Sequence, residues 1–158
     1  MTHNIRTCLW FRDGRGSEAA AFYCSLIPGS EVQATHTIDN AEMGMSWLID
    51  FMLGGVPYQI LDAGPHFTLT EAVSISVETE DQAETDRLWY ALTADGGEES
   101  VCGWLKDKYG VSWQVFPRRL SELTLSADAN VAAAAMTEMM KQRKIDIAAI
   151  EAAVRAVQ

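Results

Sequence analysis

The spacing of bulky apolar positions changes period several times along the first half of the chain. Residues 5 to 11, IRTCLWF, carry large side chains at both odd and even positions and suit a strand covered on both faces. A loop holding Gly14 and Gly16 follows, and then the period lengthens. Ala19, Phe22, Tyr23 and Leu26 fall on one helical stripe, Ser17 stands where an N-cap belongs, and PGS at 28 to 30 ends the run. EVQATHTI, SWLIDFML and VPYQILD return to strand-like runs, separated by DNAEMGM and by Gly54-Gly55. The predicted order is β-α-β-β-β.

That order then recurs. AVSISVET (72 to 79) is β-branched and alternating, Asp81 with Glu84 offers a capping box, and Leu88, Trp89 and Leu92 form the inward stripe of a second helix. ADGGEES breaks the helix, and strands around VCGWL and VSWQVF close the half. A shift of 66 places Phe11 on Val77, Leu9 on Ile75 and Glu18 on Glu84, whereas the closing strands GGVPYQIL and YGVSWQVF align at a shift of 55. We read one domain over 1–158, made of a duplicated module (about 4–65 and about 70–117) and a helical extension over about 118–158. The extension is alanine-rich and reads as two helices split near Lys144 to Asp146, with Asp146 capping the second. Its stripes of Met136, Met139, Met140 and Ile147, Ile150, Val154 suit packing on the core or on a second subunit, a ligand-facing surface being the alternative.

Composition narrows the function classes. A net charge of −10 with scattered cations argues against nucleic acid, whose binding rests on lysine and arginine displacing counterions. No apolar run approaches the roughly 18 residues of a membrane span. The first residues lack the pattern of a secretory leader, so a cytoplasmic location is expected. Cys8, Cys24 and Cys102 have neither the parity of a disulfide framework nor the spacing of a zinc site, and are expected as reduced thiols.

TCLWF, EAAAFYCSLIP, EAVSISVETEDQAETDRLWYAL, KIDIAAIEAA and above all CGWLKDKYGVSWQVFP resemble the PhnB-like, or 3-demethylubiquinone methyltransferase-like, family of the vicinal oxygen chelate (glyoxalase/bleomycin resistance/dioxygenase) superfamily. The resemblance implies an α+β fold in which two paired βαβββ modules form a curled mixed sheet around a cleft, followed by C-terminal helices, commonly in a homodimer. It does not bring methyl transfer with it: DGRGSE and LGGVP lack the GxGxxG spacing of a strand-to-helix cofactor turn and read as tight turns.

In superfamily members that use a metal, the ligands come from the first and last strands of each module, and the resemblance puts Arg6, Gln59, Ala72 and Gln114 at those positions. A cation, two amides and a methyl group are a poor divalent-metal set, so no metal and no other cofactor is expected. Gln59 and Gln114 can instead orient a carbonyl or amide of a ligand, or can satisfy a buried polar centre among themselves and the backbone. Strand parity adds Cys8, Trp10, Ser74, Ser76, Leu61 and Phe116 to the cleft face and sends Leu9, Phe11, Ile60, Ile75, Val77 and Val115 toward the helices. The candidate ligand-binding set is therefore Arg6, Trp10, Gln59, Ser74, Ser76, Gln114 and Phe116, a lining suited to a small, partly apolar organic ligand.

Other chemistry-bearing residues are weaker candidates. His3, His36 and His66 are dispersed and read as surface or loop residues, Asp62 with His66 as a turn or a rim acid/base pair, and Cys8 as an inert buried thiol. Lys106 and Asp107 read as solvated hairpin charges. The leading expectation is a metal-independent small-molecule-binding protein. Two alternatives stay open: a metal-dependent lyase, isomerase or dioxygenase with a nonstandard site using Asp62, His66 or His36, and a scaffold that only assembles.

Overall fold

A computed structural model describes residues 4–41 and 44–158, and the chain divides into two compact units, Met1–Leu69 and Thr70–Gln158. His3 and part of the DNAEMGM turn lie outside the described residues. In the first unit β1 (Thr7–Phe11) leads through α1 (Gly16–Leu26) to β2 (Glu31–Asn40), β3 (Gly44–Leu53) and β4 (Val56–Asp62). The sheet order is β1-β4-β3-β2, with β1 parallel to β4 and the other neighbours antiparallel. Because β1 and β4 run the same way, the chain between them must cross over, and α1 does so across one face. Leu9, Ile60 and Ile49 align in one row beneath that helix and are buried with Phe11, Phe51, Ala19, Ala20 and Tyr23.

The start of α1 differs from the expected Ser17 cap. The helix begins at Gly16 and has no side-chain bond from its own cap residue, Arg15. Asp62, 2% exposed at the end of β4, does the capping from across the sheet: its oxygens accept from the backbone N–H of Gly14 (3.1 Å) and of Gly16 (2.8 Å). Two orphan amides are thereby satisfied and a negative charge sits at the positive end of the helix. Gly16 is required by proximity, since a Cβ there would lie 2.8 Å from Ile60 Cγ2.

The second unit repeats the plan with β5 (Ile75–Thr79), α2 (Gln82–Thr93), a 3-10 turn (Ala94–Gly96), β6 (Glu98–Glu99), β7 (Trp104–Lys106) and β8 (Ser112–Pro117), in the order β5-β8-β7-β6. Asp81 caps α2 through the N–H of Glu84 at 2.9 Å, as the capping-box pattern predicts. Two boundaries move. The first strand starts at Ile75 rather than Ala72, and the expected VCGWL strand is split, with β6 inside the stretch read as a breaker and a turn at 101–103. Cys102 and Gly103 take positive φ (56° and 82°) in that turn, which no strand can accommodate.

Asp107 is likewise not a solvated hairpin charge. It is 3% exposed, and its carboxylate accepts from Tyr109 N, Val111 N and the Trp113 indole at 2.9, 3.0 and 2.8 Å, which folds the β7–β8 turn and fixes a fully buried core indole. After β8 come three helices rather than two, α3 (Arg118–Thr124), α4 (Ala129–Met139) and α5 (Ile147–Arg155), with Asp146 capping α5 as expected. Leu120, Leu123, Val131, Ala135, Ile145, Ile150 and Val154 form their core. Among the described residues no helix is long and apolar enough to cross a membrane. The whole is α+β, with two four-stranded mixed sheets, each carrying a helix on one face.

Asp62→Ala strands two amides, one of them fully buried, and is expected to lower stability by about 1–3 kcal/mol, with Asp62→Asn less severe. Urea unfolding followed by circular dichroism checks it; a loss within error of zero would show that the long-range cap contributes nothing.

Candidate functional site

Since α1 covers one face of the first sheet, side chains of opposite parity lie on the other face. Register places Cys8, Gln59 and Asp50 in one row across β1, β4 and β3, and Trp10, Leu61, Leu48 and His36 in the next row toward β2. Asp50 is the organising group. Its Oδ1 accepts from Arg6 Nη1 at 2.6 Å and from Gln59 Nε2 at 2.8 Å, while Oδ2 stands 4.0 Å from His36 Nε2. The Gln59 hydrogen bond first, and then the Arg6 guanidinium, hold the Asp50 carboxyl below the ordinary carboxylate value against a desolvation cost. Asp50 was not among the residues expected from the sequence. The signal was present: the Gly54-Gly55 turn pairs Leu53 with Val56, and counting back along both arms sets Asp50 opposite Gln59.

Cys8 lies on this open face and is exposed, which corrects the expectation of a buried thiol. Desolvation by the surrounding sheet, with Asp50 adding to it, raises its pKa, so it remains a protonated, weak nucleophile at neutral pH. Trp10 is anchored by its loop, donating its indole N–H to Gly64 O at 2.9 Å and meeting the Phe67 ring edge-on at 4.8 Å and that of His66 at 6.2 Å. Asp62 and His66 do not form an acid/base pair, because both Asp62 oxygens hold the start of α1 and His66 lies against Trp10.

On the second sheet the corresponding row is Ser76, Gln114 and Trp104 across β5, β8 and β7. Gln114 Nε2 donates to Ser74 Oγ at 2.9 Å, just before β5. Ser112 and Lys106 face each other one step along, and the Ser112 Oγ is buried without a hydrogen-bond partner among the described residues. Phe116, on the same strand face, packs against the helical core of the extension, and Ala72 lies in the turn ahead of β5. Each glutamine is thus satisfied inside its own unit, Gln59 by a carboxylate and Gln114 by a hydroxyl, and each keeps its carbonyl oxygen as an acceptor. The structure brings Arg6 and Gln59 together, places Trp10 one row away, and groups Ser74, Ser76 and Gln114; Phe116 is drawn toward the helices.

The depressed Asp50 pKa has a pH consequence. A carboxyl whose folded value lies below its unfolded value stabilises the fold above the unfolded value and loses that contribution as pH falls through the folded one. The stability difference between wild type and Asp50→Asn is therefore expected to be full at neutral pH and to shrink below about pH 4. Thermal melts across that range test it; a difference independent of pH would remove the ionic role of Asp50.

The family model for 3-demethylubiquinone-9 3-methyltransferase matches residues 3–116. A putative 3-demethylubiquinone-9 3-methyltransferase, PhnB protein, from Bacillus cereus is 32% identical with a TM-score of 0.63, the match covering 72% of this chain and 99% of that one. Protein PA1353 from Pseudomonas aeruginosa is 23% identical over 73% of this chain and 98% of its own, with a TM-score of 0.61. The fosfomycin resistance protein FosX from Listeria monocytogenes, complexed with Mn(II) and sulfate, shares the fold at 16% identity and a TM-score of 0.50, over 72% of this chain and 89% of that one. Curated proteins give no match. The chain belongs to the 3-demethylubiquinone-9 3-methyltransferase-like (PhnB-like) family.

Proposed function

We propose that the open face of each sheet binds a small, partly apolar organic molecule without a catalytic divalent metal, Arg6, Trp10 and Gln59 being the contacts in the first unit and Ser74, Ser76 and Gln114 those in the second. The observation that carries this reading is the donor chemistry around Asp50. Its Oδ1 already takes hydrogen bonds from a guanidinium and an amide, so a divalent cation would have to displace Arg6 or sit beside its charge. Among the described residues no group of three or more His, Cys, Asp or Glu is placed to hold a metal ion. Asp62 cannot be recruited without uncapping α1. The FosX structure named above holds Mn(II); the residues of this chain do not fit the same ion, and no step is routed through one.

Methyl transfer, which the family description mentions, lacks support in the turn after β1. The Gly14 and Gly16 amides, the donors a glycine-rich cofactor turn would offer, both point at the Asp62 carboxylate. The proposed contacts supply amides, hydroxyls, an aromatic ring and one guanidinium, suited to orienting a carbonyl-bearing ligand.

Elemental analysis of protein purified without chelator or nickel resin is expected to give well under one equivalent of zinc, manganese, nickel or iron per chain. A thermal-shift screen of small organic compounds is expected to yield ligands that raise the melting temperature, because a molecule bound only by the native state stabilises it. Gln114→Ala should reduce those shifts without lowering the unliganded melting temperature greatly. A stoichiometric metal, or ligands whose shifts ignore Gln114, would overturn the reading.

The working form is proposed to be a homodimer. Ile5, Phe67 and Val73 are 81%, 63% and 62% exposed, and among the described residues β1 and β5 each end a sheet with an unpaired edge, features that soluble monomers usually cover. Light scattering is expected to give twice the 17.4 kDa chain mass, and the monomer mass at micromolar concentration would refute it.

A further inference from the structure

The second unit carries a cavity of about 390 Å³ where β6 and β7 meet the turn at 101–103. Trp104 and Val101 are its apolar walls, and Trp104 is the cross-strand neighbour of Gln114, so the cavity adjoins the row described above. Its charged groups are unevenly matched. Lys106 is held by Glu71 at 2.7 Å and faces Glu98 directly across β6–β7, while Glu99 accepts the Trp89 indole N–H at 2.8 Å through one oxygen only. Two carboxylates, those of Glu71 and Glu98, thus flank one ammonium on the open face, while Glu99 pairs with buried Leu105 and turns toward Trp89 on the helix side. The Ser112 hydroxyl, able to donate or accept and without a hydrogen-bond partner among the described residues, is buried opposite Lys106 on the same sheet face.

We infer that this cavity takes a protonated amine carried on a small apolar or aromatic body. An aromatic face beside one carboxylate in excess of the available ammonium attracts a cation through both the ring quadrupole and direct charge, and the −10 net charge of the chain adds to the local potential. A carboxylate ligand would meet the same groups as repulsion. The inference rests on the reading that the open sheet faces receive a ligand, and it assigns the chemical class for the second unit.

Calorimetric titration of the full chain with phenethylamine, 2-phenylethanol and phenylacetate at neutral pH and low salt tests it. The amine is expected to bind at least about tenfold more tightly than the alcohol, phenylacetate not at all, and the amine affinity should fall as salt rises. Glu98→Gln, an exposed position where folding is not at stake, should weaken the amine several-fold, and Trp104→Leu about tenfold. Equal or tighter binding of the alcohol or of phenylacetate, indifference to both substitutions, or no binding of the amine at millimolar concentration would overturn the assignment. Gln114→Ala separates the two levels. If it leaves every organic ligand unaffected while the amine still depends on Glu98 and Trp104, the cavity stands and the glutamine site falls. If phenylacetate binds and needs Gln114, the site stands and the amine class falls.

Discussion

A strand has two faces, and a single crossover helix covers one of them. Everything distinctive about this chain follows from that constraint, applied twice. Parallel pairing of β1 with β4, and of β5 with β8, obliges the chain to cross over, and α1 and α2 cross on one side of each sheet. Leu9, Ile60 and Ile49 in one unit and Ile75, Val115, Trp113 and Leu105 in the other are buried there, worth about 1.5–3 kcal/mol for each large side chain. Their neighbours in sequence are then forced to the other face, which no helix of the module covers. Cys8, Asp50, Gln59, Ser76, Trp104 and Gln114 stand there because their positions in the chain alternate with core positions. Polar residues inside apolar strands are costly unless satisfied, and here Asp50 satisfies Gln59 while Ser74 satisfies Gln114.

The two-fold repeat and the face assignments were legible in the sequence because period-two alternation is a local signal. The open faces of both sheets follow from the parity of Gln59 and Gln114, and Leu9, Phe11, Ile60, Ile75 and Val115 are buried as that parity requires. Long-range partners were less legible. Asp62 looks like turn chemistry from its DAGP context, yet its carboxylate reaches back more than forty residues to the start of α1, a contact that only the β1–β4 register creates. Asp107 in KDKYG carries the ordinary composition of a solvated turn, and nothing local announces that Trp113 will donate to it. Alignment by residue type also slipped in the strands. The shift of 66 holds for the helices, which start at Gly16 and Gln82, but register sets Cys8 opposite Gln59 and Ser76 opposite Gln114, pairing Cys8 with Ser76 rather than Ser74. A slip of two preserves which face a side chain occupies, which is why the face survived an error in position.

The helical extension shows how residues outside the family match bear on the open face. That match ends at residue 116, and α3 begins at Arg118. The segment between α4 and α5 lies along the second unit as a strap: Gln142 O and Arg143 O accept from the N–H groups of Cys102 and Gly103 at 2.9 and 2.8 Å, and Gln82 bonds both Ile145 O (2.8 Å) and Ile147 N (2.9 Å). Lys144 pairs with Asp86 and sits over the Tyr90 ring. Cys102 is a non-glycine residue at φ 56°, a conformation that costs roughly 1 kcal/mol and persists only where surrounding contacts hold it. Those contacts come from the strap. The same turn presents Val101 to the cavity and leads into Trp104, so the shape of that wall depends on backbone acceptors some forty residues further along the chain. A chain stopping where the family match stops would leave the Cys102 and Gly103 amides without those partners, and its turn would have to find another conformation or another acceptor. The extension is therefore part of the second unit's structure, and the geometry of its open face is a property of residues 70–158 taken together.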